Sequence, residues 1–217
     1  EGQLQGSVTI TGLVRLPETL ELGEGGTRCV ELPTLAQTMK VGRLTAKLEW
    51  CNPTGSHKDR MSARLIARAL SCNVPLVVAA SSGNGGLSIA AYAARAGLPT
   101  EIAVTAALAP SYRRAIAAHG ARLVEAPDSL GRWEHLAHRV TEGAFAATNY
   151  RLPAIGTDPF GIEGYKTLSA ELSGSERPDI IVVPSSRGDL LSGLRLGLEE
   201  IGGIPPRLIA VEPFPRL

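Results

Sequence analysis

The sequence predicts an α/β fold of three layers, in which parallel sheets are covered by helices on both faces. Short apolar runs of strand length alternate with helical patterns of about 10–15 residues, which is typical of parallel strands joined by crossover helices. Several of the apolar runs end at turns of small polar residues. The chain has 217 residues, 44% of them hydrophobic but only 4% aromatic. It is therefore long enough to bury a core that aliphatic side chains must fill.

The predicted elements follow one another along most of the chain. Strands are predicted at 44–49, 75–80, 101–105, 122–125, 145–148, 180–184 and 208–211. Helices are predicted at 59–70, 87–96, 111–119, 133–142, 160–172 and 189–201. Ligands of parallel α/β sheets bind beyond the carboxyl ends of the strands. Lys58, Asn84 and Ser185 each follow such an end, so we expect them to converge on one crevice.

The most informative stretch is 52–60, NPTGSHKDR, which places Lys58 in a turn of small residues between a strand and a helix. A lysine that serves only solubility would be expected on a helix face. At a helix start, the positive end of the macrodipole and the nearby Arg60 disfavour the charged amine and make it a better nucleophile. Amine nucleophiles commonly form Schiff bases with carbonyl groups. An ordinary exposed lysine in a tight loop is the alternative interpretation.

A second stretch, 74–86, joins an apolar strand to a glycine-rich loop, SSGNGG, at the start of a helix. This arrangement presents free N–H groups to an anion. Asn84 adds an amide that can bond a ring hydroxyl or a carboxylate. Taken alone the loop is a weak signal, because many strand–helix turns need glycine simply to bend.

Together the two stretches resemble the fold-type-II pyridoxal-phosphate enzymes, the superfamily of tryptophan synthase β, cysteine synthase and threonine dehydratase. The resemblance extends from LGEGGT at 22–27 to AVEP at 210–213. GTDP at 156–159 and IEGYKT at 162–167 favour the threonine-synthase-like branch. The resemblance implies a tryptophan synthase β-like fold, with 1–217 forming one catalytic region of two interleaved lobes. Approximately 75–150 is expected to form mostly the smaller, mobile lobe.

The resemblance also implies roles for individual residues. Lys58 is the expected catalytic residue, which holds pyridoxal 5'-phosphate as a Schiff base, and Asn84 is expected to bond the phenolic oxygen of that cofactor. The loop around Asn84 is expected to grip the substrate carboxylate. The expected substrate-binding residues are Thr54, Ser81, Ser82, Gly83, Asn84 and Gly85.

A third loop, SSRGD at 185–189, stands where the family has its glycine-rich phosphate cup, but only Gly188 is a glycine. The serines can donate hydroxyl groups, and Arg187 either adds a charged contact or points to solvent. Asp189 would repel a phosphate unless it caps the following helix, which is the interpretation we favour. The residues expected to hold the cofactor in this loop are Ser185, Ser186, Arg187, Gly188 and Asp189.

His57 and the cysteines are further departures from the family pattern. The threonine-synthase branch usually has an aromatic residue before the lysine, and we expect His57 to contact the cofactor phosphate; proton transfer and simple filling of the aromatic slot are alternatives. Cys29, Cys51 and Cys72 form no CxxC motif. They fit buried small hydrophobes in a reducing cytosol better than disulfides.

Charge and hydropathy exclude several classes of protein. A net charge of +1 without a basic block argues against nucleic-acid binding. No apolar run is long enough to span a bilayer, no signal-peptide pattern opens the chain, and no metal-ligand spacing is recognisable. We expect a cytoplasmic homodimer that acts on a small-molecule amino acid. In the family a further stretch follows 213 and carries a serine or threonine for the pyridine nitrogen, so we expect this chain to be truncated at its C-terminus.

The sequence therefore predicts a pyridoxal-phosphate-dependent lyase or transferase that performs β- or γ-elimination or replacement on an amino acid. Threonine-synthase-like conversion of phosphohomoserine to threonine is the first choice. A serine/threonine ammonia-lyase or a cysteine-synthase-like β-replacement enzyme is the alternative. A catalytically silent ligand-binding relative is an alternative of another class, but such a protein would have no need of Lys58.

Overall fold

The computed structural model describes residues 20–81, 83–151, 157–174 and 177–212. Its strands are β1 (Cys29–Glu31), β2 (Thr45–Lys47), β3 (Val77–Ala80), β4 (Thr100–Val104), β5 (Arg122–Glu125), β6 (Phe145–Ala146), β7 (Ile180–Pro184) and β8 (Arg207–Val211). Its α-helices are α1 (Pro33–Met39), α2 (Lys58–Ser71), α3 (Asn84–Arg95), α4 (Pro110–Ala118), α5 (Ser129–Thr141), α6 (Pro159–Gly164), α7 (Lys166–Leu172) and α8 (Asp189–Ile201). A short 3₁₀ turn covers Glu49–Cys51.

Strands β3 to β6 form a parallel sheet in the order β5-β4-β3-β6. Every residue of β4 is buried, as expected of a central strand that is covered on both faces. Helices α3 and α5 both pack against β3 and β4, and α4 packs against α3 and β5. The parallel α/β architecture predicted from the alternating strands and helices is confirmed.

A second parallel unit consists of β7 and β8, in register from Ile180 opposite Arg207 to Pro184 opposite Val211. Helix α8 follows β7 and packs against α6, α7 and β8. Ile102 of β4 and Val183 of β7 belong to the same buried apolar cluster. The two parallel units therefore share one core.

The N-terminal part of the described chain differs from the sequence-based prediction. The predicted strand at 44–49 forms β2, but β2 pairs antiparallel with β1 rather than joining a parallel sheet. Strand β1 and helix α1 have no counterpart in the prediction, because a strand of three residues and a helix of seven are too short to show a clear hydrophobic period.

Two further boundaries differ. The predicted helix at 160–172 is divided into α6 and α7, which meet at Tyr165. Strand β6 covers only Phe145–Ala146 of the predicted 145–148. Residue patterns along the chain do not reveal this break at Tyr165.

The expectation that the cysteines are buried small hydrophobes is wrong. Cys29, Cys51 and Cys72 are all free and all exposed. Cys29 lies on the edge strand β1, Cys51 ends the 3₁₀ turn and Cys72 follows the last residue of α2. Each therefore lies at the margin of an element rather than on its inner face.

Candidate active site

Lys58 is the first residue of α2, and its side chain lies in a half-buried position between His57 and Tyr165. Its Nζ lies 3.1 Å from Nε2 of His57 and donates a hydrogen bond of 3.1 Å to the Tyr165 hydroxyl. Burial lowers the pKa of Lys58; the negative charge of Asp189 opposes this shift, and the positive charge of Arg187 adds to it. The amine is therefore more available as a nucleophile than that of an ordinary lysine.

Arg60 has a different role from the one inferred from sequence. Its guanidinium is fully buried and pairs with Glu49 at 2.7 Å and with Glu171 at 2.5 Å. Burial disfavours the ionised form of Glu171, but hydrogen bonds from Arg60 and Lys47 outweigh it and lower the pKa to about 2. Because two carboxylates neutralise Arg60, the argument that its charge activates Lys58 is wrong. This network instead joins α2 to the 3₁₀ turn and to α7.

Buried polar contacts fix the turn that precedes Lys58. Asp59 is fully buried and accepts hydrogen bonds from the backbone N–H and the hydroxyl of Thr54, at 2.7 and 2.5 Å. Asp59 also accepts a hydrogen bond of 2.5 Å from Ser88 on α3, the helix that begins at Asn84. The Thr54 hydroxyl is thus directed to Asp59, and its predicted contact with substrate stays a prediction.

His57 contacts the amine of Lys58 and the ring of Tyr165. The two rings lie 5.7 Å apart between their centroids. Burial, and then the charge of Lys58, lower the pKa of His57 from 6.5 to about 4, so the imidazole is neutral near pH 7. A neutral imidazole can accept a Lys58 N–H through Nε2 when its own proton is on Nδ1. The predicted contact between His57 and the cofactor phosphate stays a prediction.

The loop after β3 directs its polar groups to the protein itself. The Ser81 hydroxyl accepts a hydrogen bond of 2.8 Å from the backbone N–H of Gly86, in the first turn of α3. The exposed Asn84 accepts one of 2.5 Å from the Tyr112 hydroxyl through Oδ1. Ser82 lies outside the described residues. The predicted roles of this loop toward cofactor and substrate stay predictions.

The loop after β7 has a different character. The backbone N–H of Ser185 continues the ladder to Val211 at 2.9 Å, while its hydroxyl is buried without a hydrogen-bond partner in the described part of the chain. Gly188 precedes α8 with φ +82°, a left-handed conformation that favours glycine. Ser186 is exposed. The guanidinium of Arg187 lies 5.8 Å from the ring centre of Trp133 on α5, so it points neither to Ser185 nor simply to solvent.

Asp189 does not cap α8. The N-cap position is Gly188, which has no side-chain capping bond, and the Asp189 carboxylate instead accepts a hydrogen bond of 2.6 Å from the Thr157 hydroxyl. The interpretation of Asp189 as a helix cap is therefore wrong. Its carboxylate still lies in the first turn, where the helix dipole favours negative charge, and close enough to Lys58 to affect the pKa of the amine.

The residues at this edge fit pyridoxal phosphate. Lys58 supplies an amine with a lowered pKa for the aldehyde group. The buried, unpartnered hydroxyl of Ser185 is a donor for a phosphate oxygen. The first-turn N–H groups of α8 add further donors, because a helix leaves them without internal partners.

Tyr165 was not identified as a site residue from its sequence. It belongs to the IEGYKT stretch that marks the threonine-synthase-like branch, but nothing in that stretch indicates where its hydroxyl lies. The structure shows Tyr165 fully buried, and its hydroxyl touches the reactive amine. Only the packing of α6 against α2 and α8 makes this contact possible.

The fold is a parallel α/β architecture, and its candidate site combines a half-buried lysine of lowered pKa with a loop that holds a buried, unpartnered hydroxyl. A model of the family described as "Pyridoxal-phosphate dependent enzyme" matches residues 20–215. The chain therefore belongs to the family of pyridoxal-phosphate-dependent enzymes, whose cofactor is pyridoxal 5'-phosphate.

Its curated relatives include threonine synthases of two archaea. The chain is 29% identical to threonine synthase of Methanosarcina acetivorans over 187 residues, which cover 84% of this chain and 45% of that protein. It is 30% identical to threonine synthase of Methanocaldococcus jannaschii over 185 residues, which cover 83% and 44%. The chain thus spans less than half the length of these relatives.

Solved structures support the same fold. Cysteine synthase from Entamoeba histolytica superposes with a TM-score of 0.77 at 23% identity, over 92% of this chain and 61% of that chain. Maize serine racemase superposes with a TM-score of 0.74 at 26% identity, over 86% and 55%. The expected tryptophan synthase β-like class of fold is confirmed. The division into a smaller mobile lobe stays a prediction.

Two absences apply to the described residues alone. Among them, no helix has both the length and the apolar character needed to cross a bilayer. The same residues contain no group of His, Cys, Asp and Glu side chains arranged to hold a metal ion.

Proposed function

We propose that this chain is the cofactor-binding part of a pyridoxal-phosphate-dependent enzyme that performs elimination or replacement on an amino acid, with threonine-synthase-like chemistry as the first choice. The observation that carries the proposal is the half-buried Lys58, whose lowered pKa and contacts suit a reactive amine beside an anion loop. The resemblance to archaeal threonine synthases supports the choice of branch.

The residues at the site have two proposed roles, which are to bind the cofactor and to transfer a proton. Ser185 and the first turn of α8 would bind the phosphate, and Lys58 would bind the aldehyde group. When bound, the cofactor supplies an electron sink for the carbanion at the substrate α-carbon. Lys58, once free, would remove the α-proton through Nζ, and the burial that lowers its pKa favours the free amine that this step needs.

The position of Asp189 supports this assignment of roles. After Nζ takes a proton it becomes a cation, and the negative charge of the Asp189 carboxylate stabilises that cation. Thr157 holds that carboxylate by a hydrogen bond of 2.6 Å. Asp189 therefore favours the protonated form of the base, while burial favours the free amine. The balance suits a group that must both take and give a proton.

The substrate proposed first is phosphohomoserine, converted to threonine with release of phosphate. Serine or threonine deamination and β-replacement are the second candidate, and the likeness to maize serine racemase at 26% identity supports serine as a substrate. We also propose a cytoplasmic homodimer. The side chains of Met39 at the end of α1 and Trp50 in the 3₁₀ turn, 58% and 65% exposed, support an interface there, and light scattering would test the dimer.

The test begins with attachment of the cofactor. The chain is incubated with pyridoxal phosphate, freed of excess, reduced with borohydride and digested. We expect visible absorbance before reduction and a single modified peptide that contains Lys58. Lys58→Ala should remove both signals, whereas Lys40→Ala, at an exposed position, should leave both unchanged. Modification of Lys47 or Lys166 instead would contradict the assignment.

Products then separate the candidate reactions. Phosphohomoserine should yield threonine and phosphate, and serine or threonine should yield ammonia and a keto acid only if the second candidate is right. A preparation with full visible absorbance but no product from any of these amino acids would favour the catalytically silent relative. Absence of absorbance at saturating cofactor would remove the whole proposal.

A further inference from the structure

Tyr165 is the buried residue in contact with Lys58 that the proposed function leaves without a role. It lies at the junction of α6 and α7, fully buried, and its hydroxyl is 3.1 Å from Lys58 Nζ. The hydroxyl in turn donates to the sulfur of Met61 at 3.5 Å. Tyr165 thus accepts a hydrogen from the lysine and directs its own hydrogen elsewhere.

The fold holds Tyr165 tightly in this position. A Cβ at Gly164 would collide with the backbone carbonyl of Arg60 on α2, and a Cβ at Gly193 on α8 would lie 2.6 Å from the Cβ of Tyr165. These two glycines therefore let α6 approach α2 on one side and α8 on the other. The phenol is fixed by helix packing from both sides rather than by a flexible loop.

The contacts of Lys58 with Tyr165 and His57 have a stereochemical consequence. A neutral amine has two N–H donors and one lone pair. The Tyr165 hydroxyl accepts one N–H, and Nε2 of the neutral His57 accepts the other. When both donors are engaged, the lone pair is left as the only free direction at Nζ.

We propose that Tyr165, acting together with His57, is a positioning residue that aims the lone pair of the Lys58 amine at the substrate α-proton. The inference rests on the proposed role of Lys58 as the base. Orientation of this kind raises the rate of the proton transfer without adding a contact to the substrate. Tyr165 acts through Lys58 and takes no proton itself, because burial raises the pKa of its phenol and keeps it protonated.

The test measures Lys58 directly, in protein without cofactor. Labelling the lysines with ¹³C at Cε gives NMR signals from Lys40, Lys47, Lys58 and Lys166. The signal that disappears in Lys58→Ala belongs to Lys58, and its shift is followed as the pH is changed. Tyr165→Phe keeps the ring but removes an acceptor that stabilises the ammonium form. We therefore expect the pKa of Lys58 to fall below its value in the unaltered chain.

The charged groups around this cluster must stay the same in the comparison. They are Arg187 from the loop before α8, Asp189 from the first turn of α8, Glu49 from the 3₁₀ turn, and Asp59 and Arg60 from α2. The matched control is Tyr92→Phe, which removes another buried phenol hydroxyl, bonded to Glu24 at 2.7 Å and outside the site. Tyr92→Phe should leave the pKa of Lys58 unchanged.

With cofactor bound, Tyr165→Phe should lower kcat about tenfold while KM changes less than twofold, as expected for lost orientation of the base. An unchanged pKa of Lys58 in Tyr165→Phe would overturn the proposal, because Phe preserves the packing. Should that variant fail to fold, His57→Phe removes the other acceptor and must lower the same pKa. The titration needs no cofactor, so it remains decisive even where cofactor fails to attach to Lys58.

Discussion

The loops after β3 and β7 show how two similar sequence signatures differ in the polar groups they leave free. Each loop follows an apolar strand and precedes a helix. In the first, the Ser81 hydroxyl binds the start of α3 and Asn84 binds Tyr112. In the second, the buried Ser185 hydroxyl has no partner among the described residues, and Gly188 holds a left-handed turn. We therefore propose that unused hydrogen-bonding capacity, rather than glycine content, makes the second loop the one that binds phosphate.

The largest expected effect is a loss of stability when His57 is protonated. His57 contacts Lys58, whose pKa is affected by Arg187 and Asp189 at the second loop. In the folded chain His57 stays neutral down to about pH 4, whereas its ordinary pKa is 6.5. Between these values the unfolded chain binds the extra proton, so stability should fall as pH drops from about 6.5 to 4. The loss is at most about 3 kcal/mol, and smaller because the ring is only half-buried.

Denaturant unfolding measured across this pH range would check the effect. His57→Phe should flatten the decline above pH 4, and His119→Phe, at an exposed helix end, should not. The low pKa of Glu171 acts in a separate window, since its contribution is lost only as pH falls from about 4.5 toward 2. Equal slopes for His57→Phe and the unaltered chain would contradict the burial of His57.

The second effect separates the loops through their glycines. Gly188→Ala should raise the Kd for pyridoxal phosphate about tenfold. The left-handed conformation costs alanine about 1–2 kcal/mol, and the loop can relieve that strain by rearranging when it is empty but not when it holds the phosphate. Gly83→Ala is the matched change in the first loop, where a Cβ would meet the Tyr112 ring at an ordinary 3.9 Å. Its Kd should stay within about twofold in a spectroscopic titration. A larger rise for Gly83→Ala would reverse the assignment of the two loops.

The third effect compares the two serines in the protein without cofactor. Ser81→Ala should lower the free energy of unfolding by about 1 kcal/mol, because the hydroxyl binds the first turn of α3. Ser185→Ala should leave it unchanged or raise it, because the buried hydroxyl has no partner to lose. The affinity for pyridoxal phosphate should show the opposite order, because Ser185→Ala should bind the cofactor more weakly than Ser81→Ala. A loss of about 1 kcal/mol in Ser185→Ala would show that its hydroxyl is already satisfied.

The smallest effect is expected at Arg187. Its guanidinium lies over the ring of Trp133 on α5 instead of turning toward the phosphate-binding groups of its own loop. A cation–π contact of this kind contributes about 0.5–1 kcal/mol at exposed positions. Arg187→Gln should therefore change the Kd for pyridoxal phosphate by about threefold or less in a titration at moderate salt. A hundredfold rise would place the guanidinium on the phosphate instead.

Much of the fold could be predicted because buried parallel strands appear in the sequence as continuous apolar runs. The runs at β3, β4 and β7 identified their strands. The small-residue turn that follows β2 pointed to Lys58, and the turn that follows β7 contains Gly188. The sequence did not indicate how deeply each apolar strand is buried. All of β4 is buried, whereas Val182 in the similar apolar strand β7 is 60% exposed.

The hydrogen-bond and ion-pair partners of the side chains at the candidate site could not be predicted from the sequence. The pairing of Arg60 with Glu171 and the contact of Tyr165 with Lys58 join residues more than 100 positions apart. Such contacts depend on how helices pack. Gly164 and Gly193 permit this packing, but the sequence around them does not show which helices they bring together. Asp189 was misjudged for a related reason, because its partner Thr157 approaches from another segment of the chain.

The most direct test of the central claim is a crystal structure of the chain with pyridoxal phosphate. The account predicts the phosphate within hydrogen-bond distance of the Ser185 hydroxyl and of at least two backbone nitrogens of 186–190, with Lys58 joined to the cofactor. A phosphate held by the 81–85 loop, with the 185–189 loop turned away, would contradict it.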